Sequence, residues 1–347
     1  MKIARDVISG SNNHIAVDSS AHFSKSGLII ISVIIFTVGT CLGLAVGFSL
    51  KTQEESNSNR IRLNPSFKYI NPLLECDSTI ESFTSFGNLE KQLHAYVASE
   101  IRDEHTSSTS IYVRDLNNGP WIGVNEKEQF SPASLIKVPL LIAYLKLAET
   151  NPQLLDTLVT INNTDGYLDQ NIKPTELLRI GQQYKYIELL RQMIAYSDNV
   201  AYNVLLSKID HPYLVATYKD FGIDISQGMS DPTGNILSVK DYASFFRILF
   251  NASYLSDTRS ELALKILTQS TYNDGLRTGV PADVEIAHKF GERRYLATSE
   301  VQLHDCGIIY VPGKPYLLCV MTRGKDIDQL GATIAEISRL VYQRITR

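Results

Sequence analysis

The most distinctive pattern along the chain is a block of 25 residues, Ser26 to Leu50 (SGLIIISVIIFTVGTCLGLAVGFSL), that carries no charged side chain. At about 1.5 Å per residue a helix of that length crosses a bilayer core. The apolar core of a signal peptide is shorter, about 7 to 15 residues, so the block reads as an uncleaved transmembrane anchor, although Ala45-Val46-Gly47 loosely resembles a cleavage site. Cys41 lies mid-span behind Thr40, and reads as a small residue inside a helix rather than as a lipidation site. Lys2, Arg5 and Lys25 precede the block and Lys51, Arg60 and Arg62 follow it, so charge leaves its orientation open. Residues 1–25 form a short polar tail. Residues 51–84 form a linker that opens as KTQEESNSNRIRLNPSFK, without an apolar run.

From 85 to 347 the pattern is that of one folded domain. LEKQLHAYVASEI (89–101) has the apolar spacing of a helix, and SIYVRDL (110–116) and WIGVN (121–125) flank Asn117-Asn118-Gly119 as the strands of a hairpin. Helical spacing then fills the middle, at 134–149, 186–196, 199–208 and 239–250, the last with Ser238 three residues before Asp241 as in a capping box. Strand-like segments return at 285–290, 306–311 and 316–321, with Pro312-Gly313-Lys314-Pro315 turning between the last two, and a final amphipathic helix covers 327–345. The terminal segments are therefore expected to share an antiparallel sheet with an all-helical block inserted between them, an α/β (α+β) arrangement.

Composition changes little in this picture. Lys plus Arg number 33 against 37 Asp plus Glu, a formal net charge of −4, which argues against a nucleic-acid partner. The four cysteines, Cys41, Cys76, Cys306 and Cys319, have no zinc-like spacing, so neither a metal nor a disulfide scaffold is implied. Cys306 and Cys319 flank the Pro-Gly turn almost symmetrically, which suits facing cysteines across a hairpin, either bonded or as two buried thiols.

Candidate chemistry starts at Ser134-Leu135-Ile136-Lys137, an S-x-x-K at the head of an apolar helix. At i and i+3 the hydroxyl and amine share a face, and a desolvated lysine can take the serine proton to make a nucleophile. Alone the motif is weak, since about one is expected by chance in a chain of this length. Ser197-Asp198-Asn199 sits between two helices, where Ser, Asp and Asn are also ordinary cap and turn residues. Lys289-Phe290-Gly291, followed by Glu292, lies on a late strand, where glycine lets a ligand approach the backbone.

In the order S-x-x-K, S-D-N, K-x-G, these elements form the set found in class A β-lactamases and penicillin-binding proteins. The chain resembles the class A β-lactamase-like serine hydrolases in these motifs and in FSPASLIKVPLLIAYL, LLRQMIAYSDNVAYNVLL, LRTGVPADVEIAHKFGE and CGIIYVPGKPYLLCVM, across residues 85–345. The resemblance implies a β-lactamase/transpeptidase-like fold and acyl transfer without a cofactor. It implies Ser134 as the acylated nucleophile, Lys137 as its base and Ser197 as the proton relay to the leaving nitrogen. Asn199 would anchor the substrate amide, Lys289 would give electrostatic support beside Gly291, and the backbone N–H groups of Ser134 and Glu292 would form an oxyanion hole.

Two departures stand out. Phe290 replaces the usual hydroxyl residue of K-x-G, and the following strand offers His304 and Asp305 where an arginine often faces the substrate carboxylate. Arg293 or Arg294 could compensate for that arginine, with a solvated loop pair as the favoured reading, and His304 with Asp305 also allows a Ser/His/Asp triad on paper. The E-x-x-L-N loop of class A enzymes is missing, since no glutamate lies between Glu188 and Glu261, and only Asp224 and Asp231 stand in Gly222 to Ser238. Two functions compete: an anchored enzyme of the cell membrane, with its domain extracytoplasmic, acting on β-lactams or peptidoglycan D-alanyl peptides with slow deacylation, or a penicillin-binding, cell-wall-sensing module with little turnover. Oligomeric state is open.

Overall fold

The computed structural model describes residues 67–72, 87–117, 119–167, 171–223 and 234–347. The tail, the proposed anchor at 26–50, most of the linker, and the segment holding Asp224 and Asp231 lie outside these residues. Among the described residues, no helix is long and apolar enough to cross a membrane.

Both ends of the domain contribute to one five-stranded sheet. Its strands are β1 (Ser108–Asp115), β2 (Trp121–Val124), β3 (Ile286–Tyr295), β4 (Glu300–Ile309) and β5 (Tyr316–Gly324), in the order β2-β1-β5-β4-β3, with every neighbouring pair antiparallel. β1 pairs with β5, so the start of the domain is joined to its end, and β3 is left as an edge.

The residues of each strand alternate between two apolar layers, as the period of two requires. On one face, Leu89, Leu93 and Val97 of α1 (Gly87–Arg102) pack with Leu330, Ile334 and Ile337 of the last helix (Ile327–Thr346) over Ile111, Val113, Leu318 and Val320. On the other, Cys306, Ile308, Leu317 and Met321 meet the inserted helices. These are α2 (Lys137–Thr150), α3 (Tyr186–Ala195), α4 (Asn199–Lys208), α5 (His211–Asp220), α6 (Val239–Phe250) and α7 (Asp257–Leu267), which leave the last helix as α8. Helix α2 is buried from Lys137 through Leu145, with apolar residues on every side from Val138 to Leu145, as a helix at the centre of a block must be. Each fully buried Leu, Ile or Val there contributes about 1.5–3 kcal/mol.

The sheet and inserted helices follow the sequence-based expectation, with three differences. Strand β3 runs on to Tyr295, so Arg293 and Arg294 lie on an edge strand rather than in a loop. Strand β4 begins at Glu300, which takes in His304 and Asp305. Helices α5 and α7 were not expected from apolar spacing. Helix α5 is set by Asp210, whose carboxylate accepts from Tyr213 N at 3.2 Å, and by Pro212 in its first turn. Cys306 and Cys319 are directly opposed in the β4–β5 register, with Cα atoms 4.0 Å apart, and are joined as a buried disulfide. That resolves the two alternatives left open by their spacing.

Candidate active site

The chain reaches Ser134 through Ala133, a non-glycine residue held at φ 46°. It then makes a short 3₁₀ turn, Ala133–Ile136, which runs directly into α2. Lys137 is the first residue of that helix, so its side chain lies under the serine one turn earlier. Pro139 costs no hydrogen bond here, because N–H groups of a first helical turn have no partner within the helix.

Lys137 is 1% exposed. Its Nζ donates to Ser197 O at 2.6 Å and to Asn199 Oδ1 at 2.8 Å, and lies 3.0 Å from Ser134 Oγ and 3.2 Å from Ser197 Oγ. Burial pushes its pKa down to about 7, against the opposing pull of the Asp198 and Glu292 carboxylates. A neutral amine has two N–H bonds and one lone pair. The carbonyl oxygens of Ser197 and Asn199 can only accept, so they take the two N–H groups, and the lone pair is left facing the two serine hydroxyls.

The S-D-N segment divides its work residue by residue. Ser197 is held at φ 53°, which places both its carbonyl and its hydroxyl against Lys137. Asp198 caps α4 by accepting from Ala201 N at 2.8 Å, and receives the Tyr167 hydroxyl at 2.7 Å. Asn199 opens the helix and presents its amide to the pocket. Tyr167 was missed by sequence reasoning, since nothing in its own surroundings marks it.

Strand β3 closes the site from the other side. A Cβ on Gly291 would lie 3.0 Å from the backbone N atoms of Ser134 and Leu135, so glycine is what lets the strand pass this close to Ser134. Glu292 follows immediately, which sets its backbone beside that of Ser134. Its carboxylate reaches across to accept from Ile172 N at 3.1 Å and Asn171 Nδ2 at 3.2 Å, tying the 171–172 segment over the site. Sequence reasoning had given Glu292 only a backbone role.

Lys289 is fully buried. Its Nζ donates to Phe290 O at 2.7 Å and lies 4.1 Å from the centre of the Phe290 ring, which in turn stacks on Tyr272 at 4.1 Å. Burial, and then the nearby charge of Lys137, hold its pKa well below the usual lysine range, with Asp305 opposing. Lys289 therefore supports the site from beneath, and Phe290, not Lys289, lines the pocket.

Ser134, Ser197, Asn199 and Glu292 open into one pocket of about 180 Å³. Its other walls are Asn171, Ile172, Phe290, Arg293 and Arg294, so the two arginines are exposed, as expected, and also border the site. The paper triad is not formed. His304 and Asp305 are consecutive on β4 and point to opposite faces. His304 Nδ1 accepts from Thr322 N at 3.3 Å, which fixes the proton on Nε2, and Nε2 donates to Ser131 O at 2.9 Å. Burial takes its pKa down to about 4, so it stays neutral. Asp305 instead faces His288 Nδ1 at 2.9 Å and accepts from Leu276 N at 3.0 Å.

A family model described as the β-lactamase enzyme family matches residues 88–345, most of the chain and all of the site described above. The chain belongs to the β-lactamase enzyme family. It is a serine hydrolase acting on amide bonds, with the fold that the motifs implied. Similar curated proteins include "Beta-lactamase 3" of Bacillus cereus, 22% identical over 270 residues, covering 74% of this chain and 82% of that protein. "Extended-spectrum beta-lactamase PER-1" of Pseudomonas aeruginosa is 25% identical over 239 residues, 63% of this chain and 77% of its own length. Among solved structures, a class A β-lactamase from Mycobacterium abscessus has the same fold with a TM-score of 0.63 at 21% identity, covering 74% of this chain and all of that one. For a β-lactamase-family chain the departures are then concrete: an aromatic ring over the K-x-G lysine, and an arginine pair on the strand beyond it.

Proposed function

We propose that this β-lactamase-family chain is a membrane-anchored serine hydrolase that forms an acyl-enzyme on Ser134 with β-lactams or D-alanyl peptides, and that water removes the acyl group slowly. The observation that carries the reading is the Lys137 amine, dry, with its two N–H groups engaged and its lone pair directed at Ser134 Oγ.

In the forward step Lys137 Nζ takes the Ser134 proton as Oγ bonds to the amide carbonyl carbon. The developing oxyanion sits between the N–H groups of Ser134 and Glu292, and a donor of this kind is typically worth about 3–4 kcal/mol. As the carbon–nitrogen bond breaks, the proton passes from Lys137 through the Ser197 hydroxyl to the leaving nitrogen, a route supported by the 3.2 Å separation of Lys137 Nζ and Ser197 Oγ. Asn199 positions Lys137 through Oδ1 and lines the pocket where a substrate amide would sit.

A fluorescent penicillin should label the purified full chain covalently, with one equivalent bound and with protection by excess unlabelled penicillin. Absence of covalent label at any time point rejects the reading. Residues 26–50 are assigned as the anchor and the domain to the extracytoplasmic side, where both substrate classes occur. Protease added to intact cells is expected to remove the domain, and full protection in unlysed cells rejects that placement.

A further inference from the structure

We propose that the cleft between strands β1 and β2 and helix α6 is a binding site for a phosphate monoester, separate from the active site. In the sheet order β2-β1-β5-β4-β3, strand β1 stands three positions from the edge strand β3 that borders Ser134, which at about 4.8 Å per strand is roughly 14 Å.

The strands and the helix each bring one face to this cleft. Along β1, Ile111 and Val113 point into the layer of α1 and α8, so Tyr112 and Arg114 point to the other side, and Trp121 on β2 is the register partner of Arg114. On α6, Lys240, Ser244 and Arg247 recur at i, i+4 and i+7, which makes them one stripe of the helix. These residues line a cavity of about 270 Å³. Drug-sized ligands occupy clefts of about 300–1,000 Å³, so this one suits a small polar head group.

Three cations, Arg114, Lys240 and Arg247, thus converge on one small cavity of a chain whose net charge is −4. Two of them are positioned by aromatic rings. Tyr112 and Trp121 stack with their ring centres 5.4 Å apart, Arg114 Nη1 donates to the Tyr112 hydroxyl at 3.3 Å, and Lys240 Nζ lies 4.3 Å from the centre of the Trp121 ring. Among the described residues, neither Arg114 nor Lys240 forms an ion pair with a carboxylate. The one carboxylate lining the cleft among the described residues, Asp241, accepts from Ser238 Oγ at 2.6 Å. A phosphate monoester carries a charge of about −1.5 to −2 and three acceptor oxygens, which matches three cationic donors, whereas a carboxylate brings a single charge and two oxygens. Such a group arrives on a solute or on a lipid. The linker enters the domain close by, since Asn71 N donates to Phe250 O at 2.7 Å, about one turn past Arg247 on α6.

Trp121 is the single tryptophan of the chain, so its fluorescence reports this cleft alone. In one arm the full chain, reconstituted in phosphatidylcholine bilayers, is titrated with glycerol phosphate. In the other it is reconstituted in bilayers that also contain phosphatidic acid, which presents the same ester on a lipid. Glycerol phosphate is expected to change the emission saturably in the millimolar range, and more weakly at high salt. Arg114→Gln and Arg247→Gln, each checked for folding by thermal melting, should each weaken the apparent binding by about twofold to fivefold, the usual effect of removing one partly exposed charge. A response to phosphatidic acid without one to the soluble ester supports the site as well, and assigns its occupant to the bilayer. Emission that responds to neither, that responds equally to acetate at the same ionic strength, or whose response is unchanged in the Arg114→Gln, Arg247→Gln double variant overturns the proposal. The soluble arm does not need the anchor, and neither arm needs acylation of Ser134, so failure here leaves the acyl-transfer reading standing.

Discussion

Replacing Lys137 with alanine is expected to slow acylation of Ser134 by about 10²- to 10⁴-fold, the usual size of a general-base contribution. The hydroxyl stays in place, but no other described group approaches it as a base, since His304 is committed to Ser131 and Asp305 to His288. Ser134→Ala should abolish acylation. Lys137→Arg should rescue nothing, because a guanidinium does not give up its proton in a protein. The direction of the lysine shift makes the pH profile part of the same prediction. With a pKa of about 7, Lys137 is mostly charged below that pH and mostly neutral above it, and only the neutral form accepts the serine proton. Acylation rates measured by rapid quench should therefore climb with pH up to about 7 and then level. A rate independent of pH between 5 and 9, or unaltered acylation in a folded Lys137→Ala protein, would show that the oriented amine is not the base. The alanine variant also removes the Lys137 hydrogen bonds to Ser197 O and Asn199 Oδ1, so its fold should be checked by thermal melting.

Turnover is expected to slow sharply after one round. A chromogenic cephalosporin should give a burst of about one equivalent per chain followed by a steady phase slower by about 10² to 10⁴ than deacylation aided by a water-activating base. The reason lies in the 72 residues between Glu188 and Glu261 (261 − 188 − 1), which contain no glutamate and so no E-x-x-L-N loop. Of the carboxylates in the corresponding interval, Asp231 stands before Pro232 in a turn-forming sequence, with a side chain one methylene shorter than glutamate. Steady hydrolysis at about 10 per second or faster, an ordinary enzyme rate, would contradict this and make Asp231→Asn the next variant to measure.

Much of the fold was legible because its elements are long and strongly periodic. Helix Val239–Phe250 was read with both ends correct, since Ser238 and Asp241 mark its start and its apolar stripe is regular. The three motifs were legible as well, through their order along the chain and the family resemblance it carries, while spacing alone put only Ser134 and Lys137 on one face. What spacing does not encode is which distant groups meet. Tyr167 reaches Asp198 from a short 3₁₀ turn 31 residues earlier, and Glu292 ties down Ile172 from 120 residues away. The arginine pair is exposed as expected, but its assignment to a loop was wrong for a related reason. Charged residues at the end of an apolar run look like a loop, but on an edge strand nothing forces alternating burial, so β3 continues to Tyr295 through residues that face solvent and pocket. His304 and Asp305 gave a false triad because adjacency in sequence on a strand means opposite faces in space.

The claim on which the rest depends is that Ser134 becomes covalently acylated with Lys137 as its base. Intact-mass spectrometry of the full chain mixed with benzylpenicillin, sampled from seconds to hours and followed by peptide mapping, tests it most directly. The account predicts a single adduct of the whole penicillin mass, on the peptide containing Ser134, persisting over many minutes, and absent from Ser134→Ala. An unmodified mass at every time point with the penicillin left intact, or an adduct that maps elsewhere and survives Ser134→Ala, would contradict it.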